Sequence, residues 1–393
     1  MNWTTHFTQM MDEAAELMYG GYLMDATEAM QRALIGPVPV TPPVANISPQ
    51  VLDAVLPLRR TAAPQAKAAH TVVGAGPGAA AVTALRTSEP PDSFERIHFM
   101  HDGVQHHYLL YVPPGAVAGT AMPLVLMLHG CSQDAEEFAK ATGMNQAAAP
   151  ANALVLYPVQ ARNANPGGCW NWFEPSNQHR DQGELGLMVA MVRDVMARHP
   201  VDKRRVYAAG ISAGGAMAAL LAREYPDVFA AIGVHSGLQA GAADNMMGAL
   251  SAMNNGAKLG PTAHPPAHGC TGQYPALIVF HGDADTTVHA KNGEQLVDAA
   301  LHAALCHKSH AAQETQHGQS SAGQRFTRHL YRAANATNTA DPDEVLVEHW
   351  VLHSAGHAWS GGSAKVSQTD SKGVNATQEM LRFFLEHPRP LTP

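Results

Sequence analysis

The clearest pattern in the chain is a set of short, nearly continuous apolar runs, each followed by a segment with helical spacing. Pro123–His129, Ala153–Tyr157, Arg205–Ala209, Val228–His235, Pro275–His281 and Val345–His353 read as strands. Such runs carry too little alternation for a half-exposed sheet, so they predict strands buried on both faces. Helices are predicted from about Asp134, and over Glu184–Arg198, Ala213–Glu224, Asn292–Leu305 and Ala376–Glu386. Arg96–His101 and His107–Val112 read as a hairpin that opens the domain. Repeated strand–helix units predict an α/β fold: a mostly parallel, doubly wound sheet with helices on both faces. Reactive groups in such a sheet gather at the carboxyl ends of the strands.

Upstream the pattern changes. Phe7, Met10, Met11, Ala14, Leu17 and Met18 form one helical stripe, Gly20-Gly21 interrupts it, and Tyr22 to Leu34 resume it. Residues 1–35 therefore read as a short amphipathic helical extension, packed on the main domain or docking on a partner or apolar particle. Residues 36–92 are rich in Pro, Ala and Gly and read as a linker. The packed domain is expected over 93–388.

The 393 residues carry a formal charge of −8, with 46% hydrophobic and 15% charged residues. That balance argues against nucleic acid or an anionic membrane as the main partner. No apolar run is long enough to span a bilayer as a helix. The first basic residue is Arg32, and no apolar signal core precedes it, so a cytoplasmic location is expected; secretion with the signal removed is the alternative. The 23 histidines are scattered and the four cysteines lack zinc-ligand spacing, so no metal is expected. Cys131 and Cys169 sit in loops on the same side of the sheet and could form a disulfide, with Cys270 and Cys306 as a second pair. A cytosolic location would keep these thiols reduced, and the sequence leaves both states open.

The candidate chemistry begins at Gly210-Ile211-Ser212-Ala213-Gly214, between an apolar run and an Ala-rich helical segment. This is the strand–turn–helix setting of a nucleophile elbow, where the turn exposes the serine above the sheet at a helix N-terminus. A serine nucleophile needs a base and an orienting acid. His281-Gly282-Asp283-Ala284-Asp285 follows a buried strand; Asp285 is favoured as the acid, with Asp283 a turn cap. His357, in the loop Gly356-His357-Ala358-Trp359-Ser360-Gly361, is the candidate base, and His353, nearer the strand, is expected to be structural. Leu128-His129-Gly130-Cys131-Ser132-Gln133 ends an earlier strand, where the Cys131 N–H could join that of Ala213 as an oxyanion donor. Trp170 and Trp172 in Cys169-Trp170-Asn171-Trp172-Phe173, and Trp359 beside the base, are candidate substrate contacts; local packing of a long loop is the competing reading.

Taken together, the motifs at 128–133, 168–173, 210–215, 281–288 and 356–362 make the chain from about 95 to 387 resemble the polyhydroxybutyrate depolymerase-type esterases. That family also contains feruloyl and acetyl-xylan esterases. The resemblance implies the α/β-hydrolase fold. It implies Ser212, Asp285 and His357 as nucleophile, acid and base, Cys131 at the oxyanion loop, and no cofactor. The implied substrate is a short-chain polyhydroxyalkanoate or its oligomers, with a polymer granule surface as possible partner. The alternatives are ester release from plant polysaccharide, or a non-catalytic granule-binding role. Oligomeric state is not readable from the sequence.

Overall fold

The computed structural model describes residues 93–116, 119–258, 274–305, 311–333 and 345–390. The expected extension (1–35) and linker (36–92), and the cysteines at 270 and 306, lie outside the described residues.

The domain opens with a hairpin of β1 (Ser93–His101) and β2 (Val104–Val112). Asp102 and Gly103 turn it with φ of 49° and 77°, the left-handed pair that matches the strands' twist. β3 (Met122–Leu128), β4 (Leu154–Pro158), β5 (Val201–Ile211), β6 (Ala231–His235), β7 (Ala276–Gly282) and β10 (Val345–Leu352) form the centre of the sheet. β8 (Ala311–Gln319) and β9 (Arg325–Ala333) form a second hairpin at the far edge. The order is β1-β2-β4-β3-β5-β6-β7-β10-β9-β8. The six strands from β4 to β10 are parallel, and the inner strand of each flanking hairpin, β2 or β9, pairs antiparallel with its neighbour in that set.

The central strands bury both faces, and the side chains divide by the two-residue period. Leu124, Leu126 and Leu128 face one side, packed with α3 (Gly183–Arg198), α4 (Ala213–Glu224), α5 (Met246–Asn255) and α6 (Lys291–Leu305). Val125 and Met127 face the other, against α1 (Ala135–Thr142), α2 (Met144–Ala148) and α7 (Ala376–Glu386). The apolar runs therefore sit where the sequence pattern places them.

The β8–β9 hairpin and α5 were not expected. Most of β8 is polar and its described side chains are largely exposed, so it carries no apolar signature. α5 is built mainly of small residues and methionines, and is marked chiefly by the Asn245 side chain, which accepts from the Gly248 N–H at 2.8 Å. A two-stranded parallel pair, β11 (Trp359–Ser360) and β12 (Thr369–Asp370), closes the loop between β10 and α7.

Candidate active site

Four strand ends supply the site. β3 leads into Gly130 and Cys131, β5 into Ser212, β7 into Asp285 and β10 into His357. Ser212 has φ 56° and ψ −121°, a strained conformation for a side chain with a Cβ. The strain is held by close backbone contact on both sides. A Cβ on Gly210 would collide with the Gly214 carbonyl, and one on Gly214 with the Leu128 and His129 carbonyl oxygens. The Ser212 N–H donates to the His235 carbonyl at 3.0 Å, which ties the elbow to β6. Ala213 opens α4, so its N–H has no acceptor within the helix.

A surface depression collects Gly130, Cys131, Gln133, Ile211, Ser212, His357 and Gln368. Ser212 and His357 thus share one concavity, with Cys131 also in its lining. The His357 Nδ1 lies 2.7 Å from Asp285 Oδ2, an arrangement that leaves Nε2 as the free nitrogen of the ring. Asp285 Oδ1 accepts from the N–H groups of Thr287 and Val288 at 2.9 and 2.8 Å. Burial alone would raise this carboxyl's pKa. The hydrogen bond from His357, the electrostatic pull of the His357 and His281 rings and the Val288 N–H outweigh it and hold the value at about 2.

Asp283 turns away from this pair. Its Oδ2 lies 2.8 Å from His353 Nδ1 and its Oδ1 accepts from the Ser354 N–H at 2.6 Å. Backbone bonds from Asp283 N to Leu352 O (3.0 Å) and from Ala284 N to Ala355 O (3.1 Å) complete the seam between the loop of Asp283 and Asp285 and the loop of His353 and His357. Asp283 therefore joins two loops, while Asp285 faces His357.

The turn over residues 128–133 is bound to the loop over residues 160–173. Cys131 and Cys169 form a disulfide. The Ser132 N–H donates to Gly167 O at 3.0 Å, and Trp170 Nε1 to His129 O at 3.1 Å. Glu184, the second residue of α3, anchors that loop from below: it accepts from Gln160 Nε2 (2.6 Å), Asn171 N (2.8 Å) and Asn171 Nδ2 (2.7 Å).

These links correct the expectation for the tryptophans. Trp170 is buried with its ring 5.1 Å from that of His129. Trp172 is buried edge-on to Phe173. Trp359 is buried between His235 and Phe138, with Nε1 donating to Thr377 Oγ1 at 3.0 Å. None of the three lines the depression. The aromatic loop folds back onto the turn over residues 128–133, where its rings are buried.

The sequence reading did not single out Gln133, Ile211 or Gln368, which complete the lining. Gln133 and Ile211 lie inside the quoted motifs, so their positions carried a signal. Gln368, with φ 58°, is brought in by the pairing of β11 with β12, and nothing local marks it. Among the described residues, no group of three or more His, Cys, Asp or Glu side chains is placed to hold a metal ion.

The family model described as Esterase PHB depolymerase matches residues 106–317, more than half of the chain. The chain belongs to this family. Within the PHB depolymerase esterases it is 32% identical over 252 residues to poly(3-hydroxyalkanoate) depolymerase C of Paucimonas lemoignei, covering 63% of this chain and 57% of that one. It is 31% identical over 197 residues to feruloyl esterase B of Thermothelomyces thermophilus, covering 47% and 66%. The chain thus spans a little over half to about two thirds of the length of these curated relatives. Among solved structures, an acetyl xylan esterase from Aspergillus awamori aligns over 75% of this chain and 99% of its own, with a TM-score of 0.56 at 18% identity. That likeness gives the family member its α/β-hydrolase fold. The family match begins at β2 and ends within β8, so Ser212 and Asp285 fall inside it and His357 lies beyond it.

Proposed function

We propose that the chain is a serine esterase that cleaves the ester bonds of short-chain polyhydroxyalkanoate, poly(3-hydroxybutyrate) above all, or of its oligomers. The observation that carries the reading is Ser212, strained at the head of α4, sharing a depression with a histidine whose Nδ1 is held by the buried Asp285.

In the proposed cycle His357 Nε2 takes the Ser212 proton as Oγ attacks the ester carbonyl carbon. The oxyanion is held by the Cys131 and Ala213 N–H groups, and Asp285 stabilises the imidazolium. Collapse breaks the bond to the alcohol oxygen, which leaves with the proton from His357. A water activated by His357 then attacks the acyl-enzyme, releases the acid and restores Ser212. No step requires a metal or organic cofactor.

The depolymerase of P. lemoignei, at 32% identity over 252 residues, favours the polyester as substrate. A second reading, release of ferulate or acetate from plant polysaccharide, is favoured by the feruloyl esterase at 31% identity. The Cys131–Cys169 disulfide supports secretion over a cytoplasmic location, since cytosolic thiols are kept reduced. The helical stripe over residues 7–34 remains the proposed element for docking on a polymer surface.

The test is a panel of amorphous poly(3-hydroxybutyrate), hydroxybutyrate oligomers, p-nitrophenyl butyrate, methyl ferulate and acetylated xylan, run on wild type and Ser212→Ala. The expected result is turnover of the polyester and its oligomers that disappears in the variant, together with fluorophosphonate labelling. Turnover confined to methyl ferulate or acetylated xylan would replace the substrate assignment. Full activity in Ser212→Ala would end the mechanism.

A further inference from the structure

We infer that Gln133 is a third hydrogen-bond donor to the reacting carbonyl oxygen, its side-chain amide completing the hole that Cys131 and Ala213 begin; this rests on the esterase reading above. The partner of the Gln133 amide fixes its orientation. The Gly130 N–H can only donate, so the amide atom 2.9 Å from it is the oxygen, Oε1. The Gln133 N–H returns the contact by donating to Gly130 O at 3.4 Å, so residues 130–133 form a turn closed at both ends. With Oε1 fixed, the planar amide must present Nε2 away from Gly130. That nitrogen bonds to no described residue, yet it is not a sealed, unpartnered buried atom, and the residue itself lines the depression.

The position of Gly130 supplies the proximity. A Cβ built there would lie 3.2 Å from Gln133 Oε1, 3.3 Å from Ile211 Cγ2 and 3.5 Å from Ser212 Cβ. The glutamine amide and the nucleophile's own β-carbon therefore both touch the space around one small residue. Cys131, whose N–H is the proposed backbone donor, lies between Gly130 and Gln133 in the same turn. A neutral amide suits this place. A carboxylate could serve Gly130 equally as acceptor, but it would set a negative charge beside a developing oxyanion. A hydrocarbon could pack there but would leave the Gly130 N–H without its acceptor.

The experiment separates the donor from the acceptor. Gln133→Glu keeps an oxygen for the Gly130 N–H and removes the amide donor. Gln133→Met removes both. With p-nitrophenyl butyrate at pH 8, both variants are expected to lose roughly tenfold or more in kcat, with KM changed by less than about threefold. Lowering the pH toward 5 should raise the Gln133→Glu rate relative to wild type, because protonation removes the charge and restores a donor at the outer atom. Thermal melts keep the test readable: if Gln133→Met does not fold, Gln133→Glu with its pH profile decides alone. A Gln133→Glu enzyme within about threefold of wild type at pH 8, or one whose ratio to wild type is flat with pH, would reduce Gln133 to a support for Gly130 and overturn the proposal. Wild-type turnover and fluorophosphonate labelling are read in the same series. An inactive, unlabelled wild type would sink the esterase reading, whereas an active variant would sink only this one.

Discussion

Asp283 and Asp285 stand two positions apart, follow the same strand and make opposite bonds. Asp285 is sealed against His357 Nδ1 at 2.7 Å, while Asp283 pairs with the partly exposed His353 at 2.8 Å. Asp285→Asn is expected to cost on the order of 10⁴-fold in kcat, since an amide cannot hold the imidazole in the required tautomer or stabilise its charge. Asp283→Asn alters a partly exposed side-chain contact to His353, worth no more than about 1 kcal/mol, so activity should stay within about tenfold of wild type. Steady-state kinetics of the two variants give the answer, and the reverse ranking would transfer the acid's role to Asp283. The choice between them was legible because the chain places Asp285 just before Val288, whose N–H caps it at 2.8 Å. What the sequence could not convey was the outcome for the tryptophans. Clustered aromatics signal buried area equally well whether they meet substrate or the underside of a turn, and only the contact of Trp170 with His129 decides which.

Among the elements, the loop over residues 160–173 shows how a site can be held from behind. It has no regular structure beyond turns, yet it carries the disulfide partner Cys169, the buried Trp170 and two residues bonded to Glu184. The cross-link spans 38 positions, and chain-entropy arguments assign such a loop about 4 kcal/mol of stabilisation as an upper figure. Cys169→Ala should lower the urea midpoint accordingly; an unchanged midpoint would leave Glu184 and Trp170 as sufficient anchors. Glu184→Gln should also destabilise, by roughly 1–3 kcal/mol, because its amide turns a donor toward Gln160 or Asn171, which are themselves donating. Equilibrium denaturation checks it, and wild-type stability would mean that the loop rearranges to accept the amide. The elements that were legible are those whose burial leaves a pattern. The parallel strands read as apolar runs because both faces are covered. The β8–β9 hairpin did not, since an outer strand with one neighbour can be built of Gln, Glu, Thr and His.

For the molecule as a whole, the interior holds several histidines in the neutral state. Burial lowers His129 to about 4 and both His235 and His349 to about 3, and it lowers His281 as well. The unfolded chain titrates near 6.5, so between that value and the folded one the unfolded state binds the extra protons. Their contribution is complete above pH 6.5; that of His129, His235 and His349 is lost as the pH falls toward 3–4, by up to about 1.4 kcal/mol per pH unit for each, and that of His281 declines in the same direction. Asp285 acts in a separate window: its depressed carboxyl stabilises the fold above about pH 4 and loses that effect only as the pH falls toward 2. The melting temperature should therefore drop steadily from pH 7 to pH 4, well before Asp285 protonates. A flat melting temperature from pH 7 to pH 5 would show that these rings are hydrated or already charged. The far hairpin gives the same scale a mechanical meaning. At its tip the Ser320 hydroxyl donates to Lys372 O at 2.6 Å, and Gln324 Nε2 donates to Asp370 Oδ2 at 2.9 Å. Asp370 lies two residues beyond Gln368, so the wall of the depression is braced against the edge of the ten-stranded sheet. On the reading proposed above the substrate is an insoluble polyester, which would meet the protein as a solid surface. With the rim propped from the sheet, a polymer segment of that kind would have to be peeled from its neighbours to reach Ser212.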